Sequence, residues 1–405
     1  MNKSCSIFFY EGYVDVAPTI INLAKSLSNC GYFVTIYAKE NECSKPQEMG
    51  KQIEIVYFKH AYQFSLLSIL IKTLNQIRLS SLVTVIETIL FLYQCLFHIL
   101  FNSKKLENNI SVGIDTYGSI TAFIKSLLTK QKFIYLSLEL TEPKHFRRFS
   151  KVIKVLERLA YRNSEGIIVQ DRDRFDTLCS YNNYQHPKVF YLPNAASTSD
   201  SVIQLKTSEN YFRKMFNLSI EDFPNIVIQA GMISDLMLSQ LLAQAFAPIK
   251  RCALIFHERI KREIDDPYIR RLQEINSTNL FFSLSPLPYE QIDKIYASAT
   301  IGLAFYTDID NNFSQIAMAS GKLSHYLKHG KPVLVNNLES LSRLVEKYQI
   351  GVVIQEPSNS LEMELAIQKI MDNYEFYSKN AKICFEEEFD FAKKVQPVLS
   401  LMANL

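Results

Sequence analysis

Short apolar, β-branched runs recur along this chain, each followed by a stretch of helical character, and the alternation starts afresh in the second half. Residues 7–10 read as a buried strand, residues 18–30 as a helix stopped by Gly31, and residues 33–38 as the next strand. Strand, helix, strand in this order pairs its strands in parallel. Further strands read at 112–115, 133–136, 166–170 and 189–192, with a helix at 117–128. The second half gives strands at 226–229, 253–256, 280–283, 301–305, 333–335 and 351–354. Helices fill the gaps, at about 234–247, 266–276, 288–298, 320–329, 338–348 and 358–372, and a final one runs from about 389 to 402. A chain of 405 residues exceeds one ordinary core, so two α/β domains are expected, linked by the polar stretch 197–209.

Composition narrows the function. Hydrophobic residues make up 48% and charged ones 21%, which is a folded chain rather than a disordered one. The net charge of +3 is too small to argue for nucleic acid, so any basic surface is local. The seven cysteines include no Cys-x-x-Cys, so neither a disulfide framework nor a zinc site is indicated, and a reducing cytosol fits. The first apolar run soon meets Glu11, as in a first strand and not a signal peptide.

Ser320 to Asn336 carries the strongest local chemistry. Ser320 caps a helix, Gly330 ends it, and Pro332 opens the apolar run Val333-Leu334-Val335. A helix start presents unpaired N–H groups and the positive end of a dipole, and Lys322 adds a full charge one turn away, so a phosphate fits there. An ordinary capped helix is the other reading. The loop after the first strand lacks Gly-x-Gly-x-x-Gly; its Gly12 either lets backbone approach a ligand or only makes the turn. Glu139 and Glu142 follow the strand at 133–136, where ligands of open parallel sheets sit, and are candidate bases or stabilisers of positive charge. Asp171 with Asp173, and Asp308 with Asp310, read as helix caps or as a metal–diphosphate pair.

Residues 62–101 are unusually apolar, and 82–101 is long enough to span a bilayer. Thr84, Glu87, Thr88, Gln94 and His98 nevertheless fall near one helical face. That stripe leaves three readings: a helix lying on a membrane, a core helix, or a span. Residues 144–162 read as a basic amphipathic helix. Its basic face holds Lys144, Arg147, Arg148, Lys151, Lys154, Arg158 and Arg162; Phe149, Val152, Ile153, Leu156 and Leu159 form the opposite stripe. With Glu157 alone offsetting this charge, either a solvated face or attraction to anionic lipid follows.

Two unequal α/β domains with this ending resemble the GT-B glycosyltransferases of the large retaining nucleotide-sugar family (family 4-like). The residues that carry the resemblance are Ile167-Ile-Val-Gln-Asp171 with Tyr191-Leu-Pro-Asn194, Ala230-Gly231-Met-Ile233, and Leu287-Pro-Tyr-Glu-Gln291 through Tyr296-Ala-Ser-Ala299. Ser320-Gly321-Lys322-Leu-Ser-His325-Tyr326, with Gly330-Lys-Pro332, is similar to a subgroup's Ser-x-Lys-Leu-x-Glu-Tyr pattern. The resemblance implies two Rossmann-like domains with parallel sheets facing across a cleft, and a C-terminal helix crossing back to the N-terminal domain. It places an acceptor-side domain at 1–200, a donor domain at 201–385 and the returning helix at 386–405. Gly231, His257, Ser320, Gly321, Lys322 and His325 would bind the donor; Glu139 would be catalytic; Gly12 and Glu142 would lie on the acceptor side.

The resemblance also implies a retaining, metal-independent hexosyl transfer with no cofactor beyond the donor. The expected partners are a nucleotide sugar, a lipid-linked or polysaccharide acceptor and a membrane surface met through Arg147, Arg148 and Lys151. Nucleic acid is not among them, and the expected place is cytoplasmic, peripheral at the inner face of the membrane. The chain departs from the family where two glutamates usually stand, having Ala317 and His325 instead. It also lacks the Arg and Lys that follow the glycine turn, since residues 234–239 carry neither; Arg259 and Lys261 are the candidates to substitute. A decayed binding or scaffold protein is the alternative, and a nucleotide-sugar epimerase of the same architecture a third.

Overall fold

The computed structural model describes residues 3–14, 17–41, 49–102, 109–196 and 210–405; the expected link at 197–209 and Cys43 lie outside them. The chain divides into two compact units, Met1–Pro193 with Lys393–Leu405, and Asn194–Ala392.

The first unit alternates as the sequence predicts. Its strands are β1 (Lys3–Phe9), β2 (Tyr32–Lys39), β3 (Ile53–Phe58), β4 (Asn109–Ile114), β5 (Phe133–Leu136), β6 (Ile167–Val169) and β7 (Val189–Tyr191). Its helices are α1 (Pro18–Asn29), α2 (Ser65–Gln76), α3 (Ser80–Asn102), α4 (Asp115–Thr129), α5 (Lys151–Asn163) and α6 (Arg172–Asn182). The strands form one parallel sheet in the order β3-β2-β1-β4-β5-β6-β7. Strand β3 is an addition to the expected set; as a half-buried edge strand containing Glu54 it gives a weaker apolar signal than its neighbours.

The second unit contains α7 (Tyr211–Phe216), β8 (Asn225–Gly231), α8 (Ser239–Phe246), β9 (Cys252–Glu258), α9 (Pro267–Gln273), β10 (Leu280–Ser283), α10 (Asp293–Ala297) and β11 (Ile301–Ala304). It continues with α11 (Asn311–Ser314), α12 (Gly321–Lys328), β12 (Val333–Asn336), α13 (Glu339–Tyr348), β13 (Gly351–Ile354), α14 (Ser360–Asp372) and α15 (Tyr374–Cys384). Its parallel sheet runs β10-β9-β8-β11-β12-β13. A core of Val227, Leu254, Phe256, Leu303 and Leu334 joins the strands to α8, α9 and α14. After a wide helical turn at Phe385–Phe389, α16 (Phe391–Lys394) and α17 (Gln396–Ala403) close the chain. Helix α17 returns to the first unit, where Tyr32 donates its hydroxyl to the Met402 carbonyl at 3.2 Å.

One helical boundary needs correction. The basic helix begins at Lys151, not at 144, because Arg148 takes a left-handed backbone (φ 48°) and Ser150 accepts the Arg147 N–H, which closes a separate turn. Within α5, Lys154 faces inward, paired at 2.9 Å with Glu157, which also accepts from the Tyr135 hydroxyl. Phe149, Val152 and Leu159, from the apolar stripe, are exposed. The polar stripe of α3 is likewise turned inward: Glu87 lies 3.3 Å from the buried ammonium of Lys39 at the end of β2 and accepts the Ala61 N–H. A buried cation needs a counter-charge, and Glu87 supplies it.

Candidate functional site

In a doubly wound sheet the ligand crevice lies beyond the carboxyl ends of the two strands where the strand order reverses. For the second unit those strands are β8 and β11. Strand β8 ends in Gly231, whose φ of 112° only glycine takes without strain. The following turn is fixed from β9: Glu258 accepts the Ile233 N–H at 3.1 Å, and Arg262 donates to the Ile233 carbonyl at 2.9 Å. Strand β11 leads into the buried Tyr306, whose N–H donates to Asn336 Oδ1 and whose carbonyl accepts from Asn336 Nδ2.

Helix α12 places its first turn at this crevice. The Ser320 hydroxyl accepts the Leu323 N–H at 3.2 Å and pairs with the Tyr306 hydroxyl. The Gly321 and Lys322 amides find no acceptor among the described residues. The helix is anchored by Tyr326, which accepts the Ala230 N–H at 3.1 Å and donates to the Ile228 carbonyl at 2.7 Å. Its ring lies so close to Gly302 that a Cβ there would come within 2.3 Å of it. One tyrosine thus ties α12 to the strand carrying Gly231.

Lys322 reaches across to that strand. A Cβ built on Gly231 would stand 3.7 Å from its Nζ, which lies 4.9 Å from the centre of the Tyr306 ring and 3.5 Å from Met237 Sδ. No carboxylate pairs with this ammonium among the described residues. Burial lowers its pKa to about 7, and the neighbouring positive charge of Arg259 adds to the effect, against a smaller pull from Glu258. Arg259 extends from the residue after β9, its own N–H donating to the Gly231 carbonyl, and its guanidinium also meets no carboxylate among the described residues. Lys261 pairs with Glu263 at the surface instead. Two uncompensated cations and two free amides around one glycine turn can hold a diphosphate.

The other residues expected on the donor side stand apart. His257 is buried against Phe212, with Nδ1 2.9 Å from the Ser283 hydroxyl, and burial lowers its pKa to about 4. His325 is 3% exposed, stacked on Tyr296 at 4.6 Å and 3.5 Å from Asp293, with Lys328 and His329 on the same carboxylate. Burial would raise the Asp293 pKa, but those three partners outweigh it and hold the carboxyl below its usual range. Ala317 is buried in a short turn before α12.

In the first unit the order reverses between β1 and β4. Glu11 follows β1, and Asp115 starts α4 with a left-handed backbone (φ 52°). Asp115 Oδ1 accepts the Leu138 and Glu139 N–H groups at 2.6 and 2.9 Å, which draws the loop carrying Glu139 toward β4. Burial raises the Glu11 pKa to about 7, with its own backbone N–H opposing and Glu139 reinforcing. Asp115 is raised as well, by burial and then by Glu11. Glu139 is thus brought together with two carboxylates that sequence reasoning missed; their one signal is that each lies within two residues of a strand end. Glu142 pairs with Lys144, away from them. Gly12 makes the turn: a Cβ there would sit 2.0 Å from the Lys39 carbonyl oxygen. Asp171 and Asp310 cap α6 and α11.

No protein-family model matches this chain, and no curated protein does. Solved structures do match it along its length. HepE of Anabaena, in complex with UDP and glucose, is 13% identical over 100% of both chains, with a TM-score of 0.70. Sucrose-phosphate synthase of Thermosynechococcus elongatus is 14% identical over 99% of this chain and 98% of its own, with a TM-score of 0.69. WaaG, a glycosyltransferase involved in lipopolysaccharide biosynthesis, is 12% identical over 98% of each chain, with a TM-score of 0.62. The chain therefore has the GT-B fold, with two parallel Rossmann-like sheets and a closing helix that returns to the first unit.

Proposed function

We propose that this chain is a glycosyltransferase that moves a sugar from a nucleoside-diphosphate sugar to a hydroxyl of a lipid-linked or polysaccharide acceptor, working at the cytoplasmic face of a membrane. The observation that carries the reading is the pair of uncompensated cations, Lys322 and Arg259, beside the free amides of Gly321 and Lys322. In transfer, the bond between the anomeric carbon and the diphosphate oxygen breaks, and the acceptor oxygen bonds to that carbon. Positive charge and amides around the leaving diphosphate stabilise the charge it develops, which asks for no metal ion. The acceptor hydroxyl gives up its proton, and the carboxylates of Glu11, Asp115 and Glu139 are the candidate groups to take or orient it. HepE has been solved with UDP and with UDP-glucose, which makes UDP the first donor to try.

A binding protein without transfer is the second reading. It is favoured by one observation: His325, standing where the family has a ribose-binding glutamate, is turned toward Asp293. Thermal titration with UDP, GDP and ADP, followed by an assay of diphosphate release from the matching nucleotide sugars with membrane extract, separates the two. The transferase gives a rise in Tm with one nucleotide and acceptor-dependent release. Binding without release leaves the binding protein, and no shift with any nucleoside diphosphate overturns both.

A further inference from the structure

We propose that α2 and α3 together form a docking surface for an anionic phospholipid bilayer, and that they lie in its headgroup plane instead of crossing it. This deepens the reading above by giving a lipid-linked acceptor its membrane, and it rests on that reading for its purpose; its geometry stands independently.

Helix α3 exposes an unbroken apolar stripe: Ile89 (59% exposed), Tyr93 (61%), Phe97, Leu100 (75%) and Phe101 (71%). Their spacing of three and four residues puts them on one face, and the rings form a ladder, Tyr93 to Phe97 at 5.8 Å and Phe97 to Phe101 at 4.5 Å. Helix α2 packs beside α3 and exposes Leu66 (83%), Ile69 and Ile77 while burying Ile71 and Leu74. Isolated apolar side chains on a surface are ordinary; a continuous face on two adjacent helices marks a docking site.

Charge identifies the occupant. At the junction of the two helices, the guanidinium of Arg148 donates to the Arg78 carbonyl at 3.5 Å, so the turn before α5 borders the apolar face. Lys72, Arg78, Arg147, Arg148 and Lys151 are exposed there, and none has an acidic partner among the described residues. Exposed Phe149 and Val152 stand among these cations. Apolar side chains rimmed by unpaired cations complement an anionic headgroup layer. A second copy of the chain is a poorer match, because its own cations would meet these.

The orientation follows from the other face of α3. By length and composition Ser80–Phe101 can cross a bilayer. Yet Glu87 is held by Lys39 and the Ala61 N–H, Gln94 donates to the Lys59 carbonyl at 3.2 Å, and Phe91 and Cys95 pack with Phe8 and Tyr37 of the sheet. A crossing helix would abandon these contacts and place a carboxylate in hydrocarbon. One face is committed to the protein, and the other is free for lipid.

The chain contains no tryptophan, so Tyr93→Trp and Leu100→Trp are each a single fluorescent reporter. Vesicles of phosphatidylcholine with phosphatidylglycerol, carrying lipids brominated at defined depths, should blue-shift both reporters and quench them at similar, shallow depth. Phosphatidylcholine alone should bind at least about tenfold more weakly, since each surface cation adds about a factor of five. Phe97→Ser combined with Leu100→Ser should cut vesicle binding about tenfold or more while Tm and circular dichroism hold. Absence of a shift with either vesicle overturns the proposal. So do unequal depths at 93 and 100, which mean a span, and a lipid-free dimer dissolved by Phe97→Ser, which means a second copy covers the face. The same double variant is titrated with UDP: an intact thermal shift with lost vesicle binding separates this surface from the nucleotide reading, and vesicle binding without any nucleotide shift sinks the transferase alone.

Discussion

The two sheets place their crevices by the same rule and fill them with opposite chemistry. Between β1 and β4 stand Glu11 and Asp115, with Glu139 drawn in by two backbone hydrogen bonds; between β8 and β11 stand Lys322, Arg259 and the start of α12. Strand order sets where a ligand goes, and the few residues just past the strand ends set its charge. The acidic crevice suits a hydroxyl that must lose a proton, the basic one an anion that must leave. The same contrast divides the two glycine turns, Gly12 against the backbone of β2 and Gly231 against the tip of Lys322.

The glycines give the largest expected effect. Gly12→Ala would drive a methyl to 2.0 Å from the Lys39 carbonyl oxygen at a φ of 80°, so it should cost more than about 3 kcal/mol, read as a fall in the urea midpoint. At Gly231 an added Cβ meets no backbone, only the end of Lys322 at 3.5 Å, and the strain of φ 112° costs about 1–2 kcal/mol. Gly231→Ala should therefore fold and lose its thermal response to the nucleoside diphosphate. Equal stability losses at both turns would erase the distinction between a structural and a binding glycine.

Lys322→Ala comes next. Removing a charge-assisted hydrogen bond to phosphate costs about 1.5–3 kcal/mol, or roughly ten- to hundredfold in nucleotide affinity by calorimetry. The pH dependence sharpens the assignment. With its pKa near 7 in the free protein, Lys322 is part neutral at neutral pH, and a bound diphosphate pulls the ammonium pKa back up. Binding then takes up a proton, and affinity falls as pH rises above about 7, by at most about tenfold per unit. Titration in two buffers of different ionisation enthalpy reads that proton directly; an uptake that persists in Lys322→Ala would move it to another group.

Most of the fold was legible in the sequence, for physical reasons. Strands of a parallel sheet read as short continuous apolar runs, so 133–136, 280–283 and 351–354 coincide with β5, β10 and β13. The capped start of α12 was legible because a cap and a terminating glycine act within one helix. What escaped depended on contacts distant in sequence. The inward turn of Glu87 follows from the buried ammonium of Lys39, and the roles of Glu11 and Asp115 follow from strand order. Arg259 joins Lys322 because β9 pairs with β8 in a register that sets Glu258 beside Gly231, which no local pattern reveals. The ring partners of His257 and His325, Phe212 and Tyr296, were hidden for a related reason, since a strand-end or helix histidine shows its packing partner only in three dimensions.

The smallest expected effect tests the acidic crevice. Burial raises the Glu11 pKa from 4.5 to about 7, so between those values the folded state holds a proton that the unfolded chain has released. Stability conferred by the protonated form is present below about pH 4.5 and declines as pH rises toward 7. Glu11→Gln fixes the neutral form, so it should match the wild type near pH 4.5 and exceed it by on the order of 1–2 kcal/mol at pH 8. Denaturant melts at the two pH values measure the difference. A carboxylate whose loss stabilises the fold is held against its own electrostatics, as expected of a group kept for chemistry, and a Gln variant gaining stability while losing sugar transfer would show that trade directly. Equal stability gains at both pH values would instead assign Glu11 to packing alone and leave the basic crevice of the second unit without its acidic counterpart.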